Sequence, residues 1–430
     1  MTKSFMPDFS SADELAAHQL RGLQWTVKHA RQGSAFYRER LEEAGVGPAD
    51  ITSLDDLRRL PFTTADDLKQ GYPFPLLSVP VEDVVRIHAS SGTTGKRKVL
   101  AYTGKDIEDW VHFFARCYEM AELTAADRVQ IAVGYGIWTA GAGFQLGCER
   151  FGAMAVPVGP GNVEMQCQFL VDLGSTVMAC TASMGLLMAE EIERRGIRDK
   201  IKLKKMIFGS ERSSDAMRAR IQDMLGLTDL YDIPGMTELY GPGTGLECRE
   251  HEGIHYWADY YILEILDPTT LEPVAPGEIG EMVVTTLCKE AAPLIRYRTR
   301  DLTRMIEAPC GCGSILPRHD RILGRSDDMI IYRAVNIYPG QIDEVLSGIQ
   351  DANCEYQVHL DRRDDGKDYM TIRLECSDGL DPARRPELAR AVIEQVKKKI
   401  MVSCEVEMVD YCSLPRSERK SKRFFDHRNI

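Results

Sequence analysis

At 430 residues, with 44% hydrophobic and 27% charged content, the chain reads as a soluble globular protein too long for one ordinary core, so two or more domains are expected. A formal net charge of −12 argues against nonspecific nucleic-acid binding by the whole molecule. No run approaches the ~20 apolar residues that span a bilayer, and the start "MTKSFMPDFSSADE" has no secretory h-region, so no membrane partner and a cytoplasmic location are expected.

In that compartment thiols stay reduced, and most of the 12 cysteines read as small buried hydrophobes. Residues 11–46 are polar and helical in pattern. From about 84 onward short β-rich runs ("VVRIHA", "VQIAVGYG", "AMAVPVG", "STVMACT", "KKMIFGS", "DLYDIPG") alternate with helical stretches at 105–120, 163–173, 183–195 and 213–225. That alternation predicts an α/β domain built largely on parallel strands. After 255 the pattern turns β-rich, with "YYILEILDP" and "GEIGEMVVTTL".

Beyond "ILGRSDD" the order is β-hairpin, helix 339–349, two strands, helix 383–400 and the strand "CEVEMVDY". Asp381 is the N-cap candidate of the last helix, Pro382 sits near N1, and Leu388, Val392, Val396 and Ile400 repeat every four residues. The predicted division is a domain over 1–325 and a second, α+β domain over 326–430. The basic stretch "RSERKSKRFFDHR" near the end reads by itself as a solvated tail.

"ASSGTTGKRK" at 89–98 follows a strand candidate and combines glycines, hydroxyls and three cations, Lys96, Arg97 and Lys98. A loop with so little side-chain bulk exposes backbone N–H groups that can converge on an anion, and phosphate is the natural guest. A flexible hairpin turn with a solvated basic end is the alternative. The loop is not a Walker A sequence, and its expected context is strand–loop–strand.

Seven stretches in order resemble the phenylacetate–CoA ligase family of the adenylate-forming superfamily: "LRRLPFTTADDLKQGYPF", "HASSGTTGKRK", "FGSE", "GMTELYGPG", "YRTRDL", "GRSDDMIIYRAVNIYPGQID" and "LPRSERKSKR". The resemblance implies a large N-terminal adenylation domain with mixed sheets flanked by helices and a small mobile C-terminal domain. It implies that Ser90, Ser91, Gly92, Thr93, Thr94, Gly95 and Lys96 hold the phosphates of ATP, with Gly209, Ser210, Glu211 and Asp232 completing the nucleotide site. Thr237 would meet the α-phosphate and Glu238 would hold Mg²⁺, a hard cation that takes oxygen ligands. Asp301 would accept the ribose hydroxyls, unless it pairs with Arg298 or Arg300, and Arg325 would assist. Lys420 would be the catalytic cation stabilising charge on the α-phosphate, with Lys422 as rival and Arg419 in place of the usual glycine. Asp327 would be the hinge. Pro234 departs from the family's aromatic residue beside adenine.

The same resemblance places an aryl-acid pocket at "GYGIWTAGAGF", where small residues around Tyr135 and Trp138 suggest a shaped cavity. Trp138, Tyr135, Gly209, Ile233 and Pro242 would form its walls. No Lys or Arg lies in 131–147, so a monocarboxylic aromatic acid fits best. Tyr135 and Trp138 as ordinary core aromatics are the alternative.

"CGCG" at 310–313, with "ECREHEGIHYW" upstream, offers Cys248, Cys310, Cys312 and either His255 or His251 for structural Zn²⁺; free thiols are the alternative. Some relatives carry this arrangement, with the histidine at the position of His255. The implied activity is ATP-dependent formation of an acyl-adenylate from phenylacetate or a similar acid and then of its CoA thioester. Two rivals stand beside it: an adenylyltransferase acting on a phenolic deazaflavin, and a nucleotide-binding paralogue without catalysis. The oligomeric state stays open, a homodimer among the options.

Overall fold

The computed structural model describes residues 4–90, 97–137, 140–328, 330–333, 335–349, 351–363, 367–416 and 422–428. Ser91, Gly92, Thr93, Thr94, Gly95, Lys96, Trp138, Arg419 and Lys420 lie outside them. The chain divides into two compact units. The first comprises Met1–Cys180, Ile201–Ser210 and Asp229–Ile322; the second comprises Thr181–Lys200, Glu211–Thr228 and Leu323–Ile430.

The first unit begins with a helical pair in place of one long helix. Ser34 ends helix Ala12–Gly33, its N–H donating to the Ala30 carbonyl at 2.9 Å, and its hydroxyl caps helix Ala35–Glu43. A serine does both because its side chain replaces a lost backbone partner. At the centre is a parallel five-stranded sheet in the order Met154–Val156, Arg128–Ile131, Val177–Cys180, Lys205–Gly209, Asp229–Ile233. The inner strands Val177–Cys180 and Lys205–Gly209 are nearly continuous apolar runs, as burial on both faces requires, while the edge strand Met154–Val156 leaves Met154 exposed. The runs from "VQIAVGYG" to "DLYDIPG" are thus realised as parallel strands, whereas "VVRIHA" enters an antiparallel pair with Val99–Tyr102.

Helix Gly104–Met120 is set by a Thr103/Asp106 capping box and buries Trp110, Phe113, Phe114, Cys117 and Tyr118. Its neighbour Ala140–Phe151 approaches closely because a Cβ at Gly143 or Gly147 would overlap the Phe114 side chain. Gly143, one of the small residues that suggested a cavity, thus serves helix packing. An antiparallel sheet of Tyr261–Leu266, Gly280–Thr286 and Tyr297–Thr303 completes the frame, beside a smaller sheet built from Gly245–Glu247, Ile254–Tyr256, Arg318–His319 and Met305–Ile306.

In the second unit, strands Glu405–Val409, Asp368–Cys376, Ala352–Arg362 and Phe424–Asp426 form a sheet in that order. Tyr356, Val358, Leu360, Ile372 and Leu374 join Val392 and Val396 of helix Arg385–Lys399 in one core. Asp381 caps the 3₁₀ turn Pro382–Arg384 that precedes that helix, so the α-helix starts later than the proline suggested. The basic end of the chain is not a solvated tail throughout. Phe424–Asp426 pairs in parallel with Ala352–Arg362, and Arg428 is buried on Asp368 and Asp426, at 2.7 Å from each. Among the described residues no helix is long and apolar enough to cross a membrane.

Helix Gly104–Met120 is further locked by Arg116, which grips Asp259 through two bonds of 2.8 and 2.7 Å with both side chains under a tenth exposed. Removing one partner leaves an uncompensated buried charge. Arg116→Met is expected to destabilise the protein by about 3–5 kcal/mol, read as a lowered urea midpoint.

Candidate active site

Strands Arg86–Ala89 and Val99–Tyr102 pair antiparallel and flank the glycine–hydroxyl loop, so its context is strand–loop–strand. The neck of the loop is closed by Ser90, whose N–H donates to the Lys98 carbonyl at 3.0 Å while its hydroxyl accepts the Lys98 N–H at 3.3 Å. Lys98 does not simply add charge to the loop: its ammonium pairs with the Glu238 carboxylate. The same oxygen, Oε1, accepts from the Tyr297 hydroxyl at 3.0 Å. Burial alone would raise the Glu238 carboxyl, but the Lys98 ammonium, aided by Tyr297, holds it below the usual carboxylate range. Glu238 is therefore a buried, ionised oxygen donor.

Thr237 and Glu238 sit in the turn of the hairpin Gly235–Met236/Gly241–Pro242, where a Cβ on Gly235 would strike the Gly241 and Pro242 backbone. The Pro234 carbonyl accepts the Gly243 N–H at 3.0 Å and closes the far end. Three side chains from elsewhere hold the intervening carbonyls. Tyr102 donates to the Thr237 carbonyl at 3.0 Å, Lys289 to that of Glu238 at 3.1 Å, and Nδ1 of His88 to that of Tyr240 at 2.9 Å. Burial drives His88 to a pKa of about 3, so the ring is neutral and its proton is on Nδ1. Lys289 is fully buried against the rings of Tyr102 and Tyr240, at 4.4 and 5.1 Å from their centroids. Asp106 fixes the segment that carries it, accepting the Glu290 and Ala291 N–H groups at 2.7 and 2.9 Å. Nothing local marked Lys289, Tyr102 or His88 in the sequence. Each lies far along the chain from the carbonyl it meets.

Asp301 lies on strand Tyr297–Thr303, the strand whose Tyr297 reaches Glu238, and its N–H donates to Thr299 Oγ1 at 3.0 Å. Arg298 and Arg300 both reach Glu281, at 2.8 and 3.4 Å. The neck of the glycine loop, Glu238 and the strand of Asp301 thus meet through Lys98 and Tyr297. Gly209 and Ile233 face each other at the C-terminal ends of adjacent parallel strands, and a Cβ on Gly209 would crowd Ile233. Ligands of open α/β sheets bind at that edge. Ser210 follows in a left-handed conformation with φ 73°, a strained setting typical of functional turns. The N–H of Asp232 is held by buried Glu247 at 2.9 Å. Half-exposed Tyr135 packs on Gly141, and Pro242 takes the indole N–H of Trp110 at 2.9 Å through its carbonyl.

In the second unit, Glu211 accepts the Ser183 N–H at 2.5 Å. Arg325 is forked onto Asp327 at 2.9 and 3.0 Å, so the ribose-assisting candidate and the hinge candidate are bonded to each other. Lys422 rests over the Phe425 ring, 5.0 Å from its centroid.

Apart from these, Cys248, His255, Cys310 and Cys312 bring their ligand atoms within 4.8 Å of one another. Cys248 and Cys310 sulfurs are 3.4 Å apart, and Cys312 Sγ is 3.4 Å from His255 Nε2. Four tetrahedral bonds of ~2.3 Å place such donors roughly 3.5–3.8 Å apart, close to this spacing. Nδ1 of His255 donates to the Leu316 carbonyl at 2.9 Å, which leaves the Nε2 lone pair aimed into the cluster. His251 is elsewhere, on Asp229 at 2.9 Å and Glu247 at 3.6 Å.

Burial lowers the Lys289 pKa from 10.5 to about 8. A cation with a depressed folded pKa binds fewer protons folded than unfolded between those values, so stability rises with pH across that window and is lost as pH falls through 8. Wild-type stability should gain up to ~1.4 kcal/mol per pH unit there, and Lys289→Met should flatten that slope in chemical denaturation at pH 8 to 10.

Comparison with known proteins matches residues 23–288 to the AMP-binding enzyme family and residues 334–428 to the AMP-binding enzyme C-terminal domain. A phenylacetate-coenzyme A ligase of Escherichia coli (strain K12) is 41% identical over 98% of this chain and 97% of its own length. That of Thermus thermophilus is 36% identical over 97% of each. Among solved structures, 2-hydroxyisobutyryl-CoA ligase in the postadenylation state has a TM-score of 0.89 at 25% identity, covering 98% of this chain and 94% of that one. The same enzyme in the thioesterification state scores 0.70 at 26% identity, covering 98% and 91%. On these matches, spanning both regions with the pinned Thr237 and Glu238 inside the first, the chain belongs to the AMP-binding enzyme family, among its phenylacetate–CoA ligases.

Proposed function

We propose that the protein is an aryl-acid–CoA ligase: it activates an aromatic monocarboxylic acid, phenylacetate or a close relative, with ATP to the acyl-adenylate and then transfers the acyl group to CoA. The observation that carries this reading is the pinned 237–240 turn, whose buried, ionised Glu238 is tied both to the neck of the glycine–hydroxyl loop and to the strand of Asp301. Such an arrangement suits a nucleoside triphosphate, because among the described residues Lys98, Glu238, Tyr297 and the carbonyls of the turn are already held by one another and by their donors. The full-length likeness to phenylacetate–CoA ligases supports the acid and the thiol. It speaks against adenylyl transfer to a phenol and against an inert paralogue.

In this reading the loop 90–98 holds the β- and γ-phosphates, Thr237 contacts the α-phosphate and Asp301 grips the ribose. The acid's carboxylate attacks the α-phosphorus and pyrophosphate leaves. Lys420 supplies positive charge to the oxygens that gain charge in that step. The CoA thiol then attacks the acyl carbon and AMP leaves, a step that needs no cation at the α-phosphate. Glu238 fits Mg²⁺ as an ionised oxygen donor, and the ion would neutralise phosphate charge. Gly209, Ile233, Pro242, Tyr135 and Trp138 are assigned to the acid, Ser210, Glu211, Asp232 and Arg325 to the nucleotide side, and Asp327 to the hinge.

We also assign Cys248, His255, Cys310 and Cys312 to a structural zinc site. Three thiolates and an oriented imidazole leave no open position, which separates this site from the chemistry.

Pyrophosphate release on mixing with ATP, Mg²⁺ and a panel of aryl acids is expected, greatest with phenylacetate-like acids; no release with any acid would refute the reading. Lys420→Ala should cripple that release while leaving conversion of supplied acyl-adenylate to thioester largely intact. Elemental analysis of protein purified without chelator should find about one zinc per chain, lost in Cys310→Ala together with thermal stability. Wild-type protein without metal would refute the zinc assignment.

A further inference from the structure

The described residues on either side of 417–421, the sequence positions that include Lys420, are bonded to carboxylates taken out of water. Upstream, Glu375 is fully buried and accepts the N–H groups of Leu414 and Cys412 at 2.7 and 3.2 Å. Both its oxygens also bind Arg416, at 2.7 and 2.9 Å. The other edge of the same guanidinium is forked onto Glu190, at 2.9 and 3.0 Å. Arg220 adds a bond to Glu190 at 2.9 Å and one to the Tyr411 hydroxyl at 2.5 Å. Downstream, Arg423 binds buried Glu355 at 3.0 Å and lies over the Tyr356 ring, 4.7 Å from its centroid.

Only arginine has two donor edges that can engage two carboxylates at once. A buried ionic cluster roughly breaks even in stability against an apolar filling, so its return is sought in direction and register. Here two guanidiniums balance two carboxylates, and the bonds converge on the backbone at 412–416, four residues before Lys420. Glu190 belongs to helix Ala182–Arg194 and Arg220 to helix Asp215–Leu225, so the anchor comes from a distant part of the chain.

We infer that Arg416 and Glu375 are positioning residues for adenylation, with Glu190 as their anchor: they present the Lys420 segment for the first half-reaction and are dispensable for the second. The inference rests on the ligase reading above. A cation held loosely would lose transition-state stabilisation while leaving substrate binding nearly unchanged.

The full chain and its Arg416→Lys, Glu375→Gln and Glu190→Gln variants are to be compared in aryl-acid-dependent pyrophosphate release and in thiolation of supplied acyl-adenylate. Each variant is expected to lose ~tenfold or more in kcat of the first reaction, with KM for ATP and the thiolation rate within about twofold of wild type. Combined with Lys420→Ala, none should add a further loss, as expected of residues acting as one unit. Equal loss of both half-reactions, as from misfolding, would make the cluster merely structural and overturn the proposal. An active wild type with unimpaired pyrophosphate release in the variants would overturn the positioning role alone. A wild type that releases no pyrophosphate would bring down the ligase reading and the positioning role with it.

Discussion

Three donated hydrogen bonds to the carbonyls of Thr237, Glu238 and Tyr240 are the constraint on which the site depends. A turn flanked by the glycines at 235, 241 and 243 would otherwise lose its shape to entropy. The donors are drawn from the hairpin of the glycine loop and from the segment fixed by Asp106, so the turn, the loop neck and helix Gly104–Met120 share one scaffold. Lys289 is costly in this position, as its lowered pKa records. A buried ammonium that bonds a backbone carbonyl helps fix where that residue's own side chain points, and the residue is Glu238.

Charge is handled in a consistent way across both units. Several buried carboxylates meet a cation, Glu238 with Lys98, Asp259 with Arg116 and Glu375 with Arg416, whereas buried Asp106 is met by backbone N–H groups. Such pairs contribute little net stability compared with apolar packing, yet breaking one is expensive. Their value is geometric, since a forked guanidinium leaves its partners little angular freedom. The Cys248, His255, Cys310 and Cys312 side chains likewise converge from distant positions, bringing strand Ile254–Tyr256 beside the 310–312 turn.

Two readings of short stretches changed once packing was visible. Gly143 read as one of the small residues shaping a cavity, but it admits Phe114 of the adjacent helix. Lys98 read as one of three cations facing an anion, but it neutralises Glu238. In both cases local composition reported a requirement, small size or positive charge, without naming the partner that imposes it.

The alternation of β-rich and helical runs, the cap at Asp381 and the four-residue repeat of Leu388, Val392 and Val396 were legible because they are set by periodicity and by neighbours a few residues away. Thr237, Glu238, Asp301 and the Cys-x-Cys pair stood out because their motifs are short and contiguous. The break at Ser34 and the late strand Phe424–Asp426 were not legible, since a single hydroxyl and a three-residue pairing leave almost no periodic trace. Residue types and their order thus determined the elements and the chemistry on offer. Only the tertiary structure decided that Lys289 supports Glu238, that His255 rather than His251 joins the cysteines, and that Arg416 holds two carboxylates. Those contacts join residues far apart in the chain, and a side chain's local sequence carries no record of the partner that folding brings to it.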